Sequence, residues 1–281
     1  MNSKNQNPFQ RYPLQGTETI SVGTVPVPYH IYDGYSFFIG GTADLDTVKD
    51  LIKGEDLIPI QTIEGKAVMA IWVADFTSAS LNPHHELQFS IFVSKTEVLP
   101  LKSHPFNAIY ALIRTDIKML CHGLWNNTKE VVAYNRELLG LNARLTKSNI
   151  QRNGNTIDFV YEDSELKAPV ISGSIKTIAT SSALFSFISK LGFRDSLKLM
   201  REPWASMDIV NPKGVTLDEN ATAKAFAKSD VNVLHAFDSN DSLHIEYPLY
   251  KSLNFTPDTV QYADGCKFIY LHPERSFPEH G

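Results

Sequence analysis

The chain has 281 residues, enough for one large domain with a sizeable core, and its 43% hydrophobic and 20% charged residues are ordinary for a soluble globular protein. A net charge of -5 supplies no basic field for a nucleic-acid backbone, and no stretch approaches the roughly 20 apolar residues that cross a bilayer. Cys121 and Cys266 are too few for a disulfide framework or a thiolate cage, and the polar start without an apolar segment points to the cytoplasm.

In chain order, residues 1–25 carry prolines and polar groups without periodicity and read as an extended N-terminal arm. Tyr35–Gly41 reads as a buried strand. Asp44 then offers an N-cap to a short helix with Leu45, Val48, Leu51 and Ile52 as its apolar stripe and Gly54 as its stop. Val68–Ala74 is apolar on both faces, as a central strand is. Glu86–Ser94 alternates, with Leu87, Phe89, Ile91 and Val93 on one face and Glu86, Gln88, Ser90 and Ser94 on the other, Phe92 being the exception.

Ser103–Arg114 predicts a helix with Pro105 near its first turn. Strands are predicted at Met119–Trp125, Val131–Tyr134, Thr156–Tyr161 and Val170–Thr177, with Asn153-Gly154 as a turn. A helix is predicted from Ser181 or Ser182 to Gly192, and short strands at Val231–Phe237, Ser242–Tyr247 and Lys267–Leu271. Many short strands with few helices predict one antiparallel barrel or sandwich.

The run Asn135-Arg136-Glu137-Leu138-Leu139-Gly140-Leu141-Asn142-Ala143-Arg144-Leu145, followed by Asn153-Gly154-Asn155-Thr156 and the strand Ile157–Tyr161, resembles the core of the acetoacetate decarboxylase family. The Arg-Glu pair and its spacing to the family's lysine pair carry the likeness, which extends thinly through Tyr29–Ile60, Val68–Ala74, Glu86–Val93 and Leu234–Leu271. The resemblance implies a mainly β (α+β) fold, a cone-like antiparallel β-barrel with a few short peripheral helices, filling residues 26–281 as a single domain.

The family's mechanism uses two adjacent lysines, one forming an imine with a substrate ketone and the other depressing its pKa. At those positions stand Ala143 and Arg144, and neither makes an imine. The family's arginine near the first barrel strand falls near Gly34 and one pocket carboxylate near Ala70, whereas Glu86, in His84-His85-Glu86, matches a retained carboxylate. Imine-dependent decarboxylation is therefore not expected.

The expected catalytic pair is Glu86 as general acid or base and Arg144 as anion stabiliser. Trp72, His85, Gln88, Trp125, Tyr134 and Arg136 are expected around the substrate, and Arg136 and Glu137 as an ion pair beneath it. Adjacent His84 and His85 point to opposite faces of a strand and cannot easily share a metal, but one of them near Glu86 suits a proton shuttle. Lys147 reads as a surface lysine. No cofactor, metal, nucleic acid or membrane partner is expected, and homo-oligomerisation is left open. The expected function is lyase, isomerase or cyclase chemistry on a small carbonyl-bearing or enolisable substrate, in a setting of secondary-metabolite biosynthesis. The alternative is a binding protein that kept the cavity and lost the chemistry.

Overall fold

A computed structural model of the chain describes residues 7–102, 106–178, 205–217 and 219–273. The helix expected between Ser181 and Gly192 lies outside them, as do Ser103 and Pro105. Residues 7–25 of the expected arm are structured. Helix α1 (Pro8–Arg11) is capped by the Asn7 side chain, and β1 (Gly16–Ile20) and β2 (Gly23–Val27) make a hairpin. The Tyr12 ring stacks on Phe226 at 5.4 Å, and Ser21 bonds Glu137 through both its backbone N–H and its hydroxyl.

The body of the fold is a strand ring. Its staves are β3 (Tyr29–Asp44), β5 (Lys66–Ala79), β6 (His84–Ser94), β7 (Lys118–Asn126), β11 (Ala205–Val210), β12 (Thr222–Lys228) and β16 (Lys267–Tyr270). Pairing runs β3–β5–β6–β7–β11–β12–β16 and returns to β3, so the ring closes. Every seam is antiparallel except β7–β11, which is parallel. Closure removes the free edges that open sheets must protect.

A second layer covers part of the ring's outer face. It continues from β7 through a parallel pairing to β8 (Ala143–Asn153), then β9 (Thr156–Asp163), β10 (Ala168–Lys176) and β14 (Ser242–Ile245). The β8–β9 turn holds Asn153-Gly154, with Gly154 at φ +61°, the left-handed conformation such a turn requires. From the other side, β15 (Thr256–Asp264) pairs with β3 and carries β13 (Val231–Ala236). The two-residue β4 (Ile58–Pro59) pairs with β6.

This arrangement gives two cores. Val68, Ala70, Phe38, Cys121, Ala223, Ala225 and Tyr270 pack inside the ring. Phe37, Ile39, Met69, Ile71, Val73, Leu87, Phe89 and Ile91 pack outward against Ile157, Phe159 and Tyr161 of the second layer. Ring strands are thus buried on both sides, which explains why Val68–Ala74 lacks alternation.

Among the described residues, four short helices accompany the strands after the first. The Asp44 carboxylate accepts from the Thr47 N–H at 3.0 Å and caps α2 (Leu45–Leu51), as expected. Helix α3 (Asn107–Leu112) lies within the predicted Ser103–Arg114. Residues Val131–Tyr134 form no strand but the middle of α4 (Lys129–Glu137). A four-residue apolar run suits either element, and here Val131, Tyr134 and Asn135 share the buried helix face. Helix α5 (Pro248–Lys251) brings Tyr250 onto Phe89, ring to ring at 4.0 Å and 6°.

Candidate functional site inside the strand ring

Strand alternation on β6 sends Glu86, Gln88 and Ser90 into the ring and Leu87, Phe89 and Ile91 outward. The three polar residues are 1%, 3% and 1% exposed. A buried carboxyl needs hydrogen-bond donors, and two are present. Asn126 Nδ2 donates to Glu86 Oε2 at 3.3 Å and the Tyr270 hydroxyl donates to Oε1 at 3.3 Å. Asn135 Nδ2 holds the Asn126 amide oxygen at 2.9 Å, and the Tyr161 hydroxyl donates to the Glu86 carbonyl at 2.9 Å. Burial pushes the Glu86 carboxyl up to about 7, against the pull of the Asn126 and Tyr270 hydrogen bonds.

A second group of polar side chains adjoins this carboxyl. Tyr29 stacks on Tyr270 with centroids 5.6 Å apart and meets Tyr134 at 5.3 Å. Its hydroxyl bonds His84 Nε2, while His84 Nδ1 lies 2.8 Å from the Asn82 carbonyl. A carbonyl only accepts, so Nδ1 carries the proton and Nε2 accepts from Tyr29. Burial lowers the His84 pKa to about 4, so the ring stays neutral at pH 7. The Tyr134 hydroxyl is 2.7 Å from His272 Nε2.

Deeper along β6, Gln88 Nε2 donates to Ser90 Oγ at 2.6 Å. Trp72 packs edge-on against Phe38 and Phe268, with centroids 6.2 and 5.8 Å away, and among the described residues its buried indole N–H has no partner. The interior thus joins one carboxyl of near-neutral pKa, neutral hydroxyl and amide donors, and aromatic walls. Among the described residues, no group of three or more His, Cys, Asp or Glu side chains is placed to hold a metal.

No family model and no curated protein matches the sequence. Solved structures do match the fold. Acetoacetate decarboxylase from Legionella pneumophila superposes with a TM-score of 0.58 over 97% of this chain and 96% of that one, at 10% identity. A second acetoacetate decarboxylase gives 0.51 at 12% identity, over 88% of this chain and 90% of its own. The chain has an acetoacetate decarboxylase-like fold. The enduracididine biosynthesis enzyme MppR, solved with pyruvate, shares it, with a TM-score of 0.53 at 11% identity over 88% and 89% of the two chains. Identities this low establish architecture alone.

On the acetoacetate decarboxylase-like frame, pairing register decides which side chains meet. Gln88, Leu124 and Ala143 lie in line across β6, β7 and β8, as do Leu87, Trp125 and Arg144. Paired residues share a face, so Ala143 is turned inward and Arg144 outward. Arg144 donates from Nε to Asp163 Oδ2 at 2.5 Å and reaches Glu165 at 3.3 Å. Trp125 also belongs to the outer core and donates its indole N–H to Asp163 at 2.9 Å. The structure therefore brings Trp72, Glu86, Gln88 and Tyr134 together and leaves Arg144 and Trp125 behind the wall.

Two further expectations are corrected. Arg136 is exposed on α4 and lines a surface groove with Ser21, Val22 and Lys129, while Glu137 serves Ser21 rather than Arg136. His85 points away from Glu86, since alternate residues take opposite faces. Lys147 is on the surface, its side chain 78% exposed. Tyr29, Asn126, Asn135 and Tyr270 were not anticipated. Their only sequence signal was a polar or aromatic residue in a strand or helix register that the sequence does not reveal.

Proposed function

We propose that the protein is an enzyme on the acetoacetate decarboxylase scaffold that moves protons in a small carbonyl-bearing or enolisable substrate, without an imine and without decarboxylation. The observation that carries this reading is Glu86, a buried carboxyl with a pKa of about 7, facing the same interior as the methyl of Ala143. Near neutrality such a carboxyl is divided between acid and base, the condition general acid–base catalysis favours. As base it takes a proton from the carbon beside a carbonyl; as acid it returns one to carbon or to a departing hydroxyl. Tyr270 and Asn126 steady the carboxylate when it forms, and the Trp72 N–H, unpartnered among the described residues, is available to a substrate oxygen.

The reaction class is lyase, isomerase or cyclase: proton transfer, dehydration or ring closure. Arg144 has no place in this proposal, because Asp163 engages it on the far side of the wall. MppR, named for enduracididine biosynthesis, supports a biosynthetic setting by analogy of fold. The test begins with mass spectrometry of whatever co-purifies, followed by turnover of candidate substrates. Glu86→Gln keeps the shape and removes the basicity, so turnover falls on the order of 10²–10⁴-fold with little change in affinity. Unchanged turnover refutes the assignment, and a ligand recovered unaltered after long incubation makes the protein a binder. Treatment with a β-keto acid and borohydride leaves no adduct, whereas a stable adduct on any lysine overturns the imine-free reading.

A further inference from the structure

Outside the ring wall, three strands bring together a serine, a histidine and an aspartate that the interior chemistry does not use. His85 on β6 turns its ring away from Glu86, and its Nδ1 lies 2.8 Å from Ser148 Oγ on β8. Its Nε2 lies 3.6 Å from Asp75 Oδ1, on the residue paired with it across β5. The cluster is fixed from several sides. The His85 backbone N–H donates to Asn127 Oδ1 at 2.8 Å, and Asp75 accepts from the Tyr35 hydroxyl. The Arg152 guanidinium covers the Tyr35 ring at 4.9 Å. The His85 and Asp75 side chains are each 21% exposed and Ser148 is half-buried, so the cluster is partly open to solvent.

We propose that Ser148, His85 and Asp75 form a second catalytic site, independent of Glu86, that transfers the acyl group of small activated esters to water. With Nε2 carrying its proton toward Asp75, His85 presents a bare Nδ1 to the serine. Ser148 Oγ attacks the ester carbonyl carbon and its proton passes to Nδ1. The carbon–oxygen bond to the alcohol breaks, and the alkoxide leaves with that proton. Water then attacks the acyl-serine, giving its proton to Nδ1, and the acid departs as Ser148 takes the proton back. Ester and water thus become acid and alcohol. Asp75 is a positioning residue: it fixes the ring and favours the imidazolium that forms in each step.

A fluorophosphonate probe on the full chain tests this, since Oγ displaces fluoride and retains the phosphonyl group as a stable mass increase. The expected result is one adduct mapping to Ser148, with hydrolysis of p-nitrophenyl acetate lost when the adduct forms. Ser148→Ala removes both, and the remote surface variant Ser252→Ala changes neither. His85→Ala slows labelling on the order of 10²–10⁴-fold, the scale of general-base activation. Asp75→Asn slows labelling and Asp75→Glu restores part of the rate, a recovery that a purely structural carboxylate does not produce. Thermal melts establish that each variant is folded. Absence of an adduct, an adduct on another residue, or labelling of folded His85→Ala at the wild-type rate overturns the proposal.

Discussion

Arg144 and Glu86 show how much one residue of register decides. The chain position of Arg144 matches a lysine of the resembled family, but position along a strand does not specify a face. Its partner Asp163 is fully buried and also receives the Trp125 indole and the Leu166 N–H. Arg144→Met is therefore expected to lower stability by about 1.5–3 kcal/mol, the scale of a hydrogen bond to a charged group, while leaving ligand affinity unchanged. Urea unfolding and a binding titration check the two halves, and weakened binding with unchanged stability reverses the assignment. Glu86 was legible because Leu87, Phe89, Ile91 and Val93 fix an alternation that sets its face. Its neighbours Tyr270, Asn126 and Tyr29 were not, because each comes from another element and only the pairing register unites them.

Elements with local signals were readable. Asp44 announced a cap, Asn153-Gly154 a turn, and the period of β6 a strand. The hairpin at Gly16–Val27 escaped notice because Gly16 to Thr19 is exposed and shows no alternation. Val131–Tyr134 was misread because a short apolar run fits either period, and its helix is set by burial against the ring. A close contact between elements lies at Gly123 on β7. A Cβ there would overlap the Tyr250 hydroxyl, which bonds His122 Nδ1 at 2.9 Å. Gly123→Ala is expected to cost about 1–3 kcal/mol, as overpacking does. Adding Tyr250→Phe removes the overlapped oxygen and should recover part of that loss, and a double-mutant cycle in urea measures the coupling.

At the scale of the molecule, the interior couples protonation to stability. From pH 4.5 to about 7, folded Glu86 keeps a proton that its unfolded counterpart has released, so its contribution falls as pH rises. His84 behaves in the opposite sense. Between about 4 and 6.5 its unfolded form binds a proton that the folded ring refuses, so its contribution rises with pH. Over the shared window each state holds one proton on this pair, and the two slopes cancel. Glu86→Gln removes one of them. Its stability relative to wild type should climb by on the order of 3 kcal/mol between pH 4.5 and 7. Denaturation midpoints at several pH values check this, and a flat difference denies the raised carboxyl pKa.

The parallel seam between β7 and β11 has a consequence for how the chain assembles. Its register pairs Ile209 with Met119 and Val210 with Leu120, joining residues that flank the entire β8–β10 layer in the chain. Adjacent hairpins such as β5–β6 and β8–β9 need only short loops, whereas this seam waits on a long excursion, and loop closure makes it late. Until it forms, the ring is an open trough and its carboxyl is wet. Ile209→Ala and Val210→Ala should then hasten unfolding and leave the folding rate nearly untouched, while Val73→Ala on β5 should slow folding. Stopped-flow kinetics tell these apart, and a slowed folding limb for the two seam variants would place closure early instead.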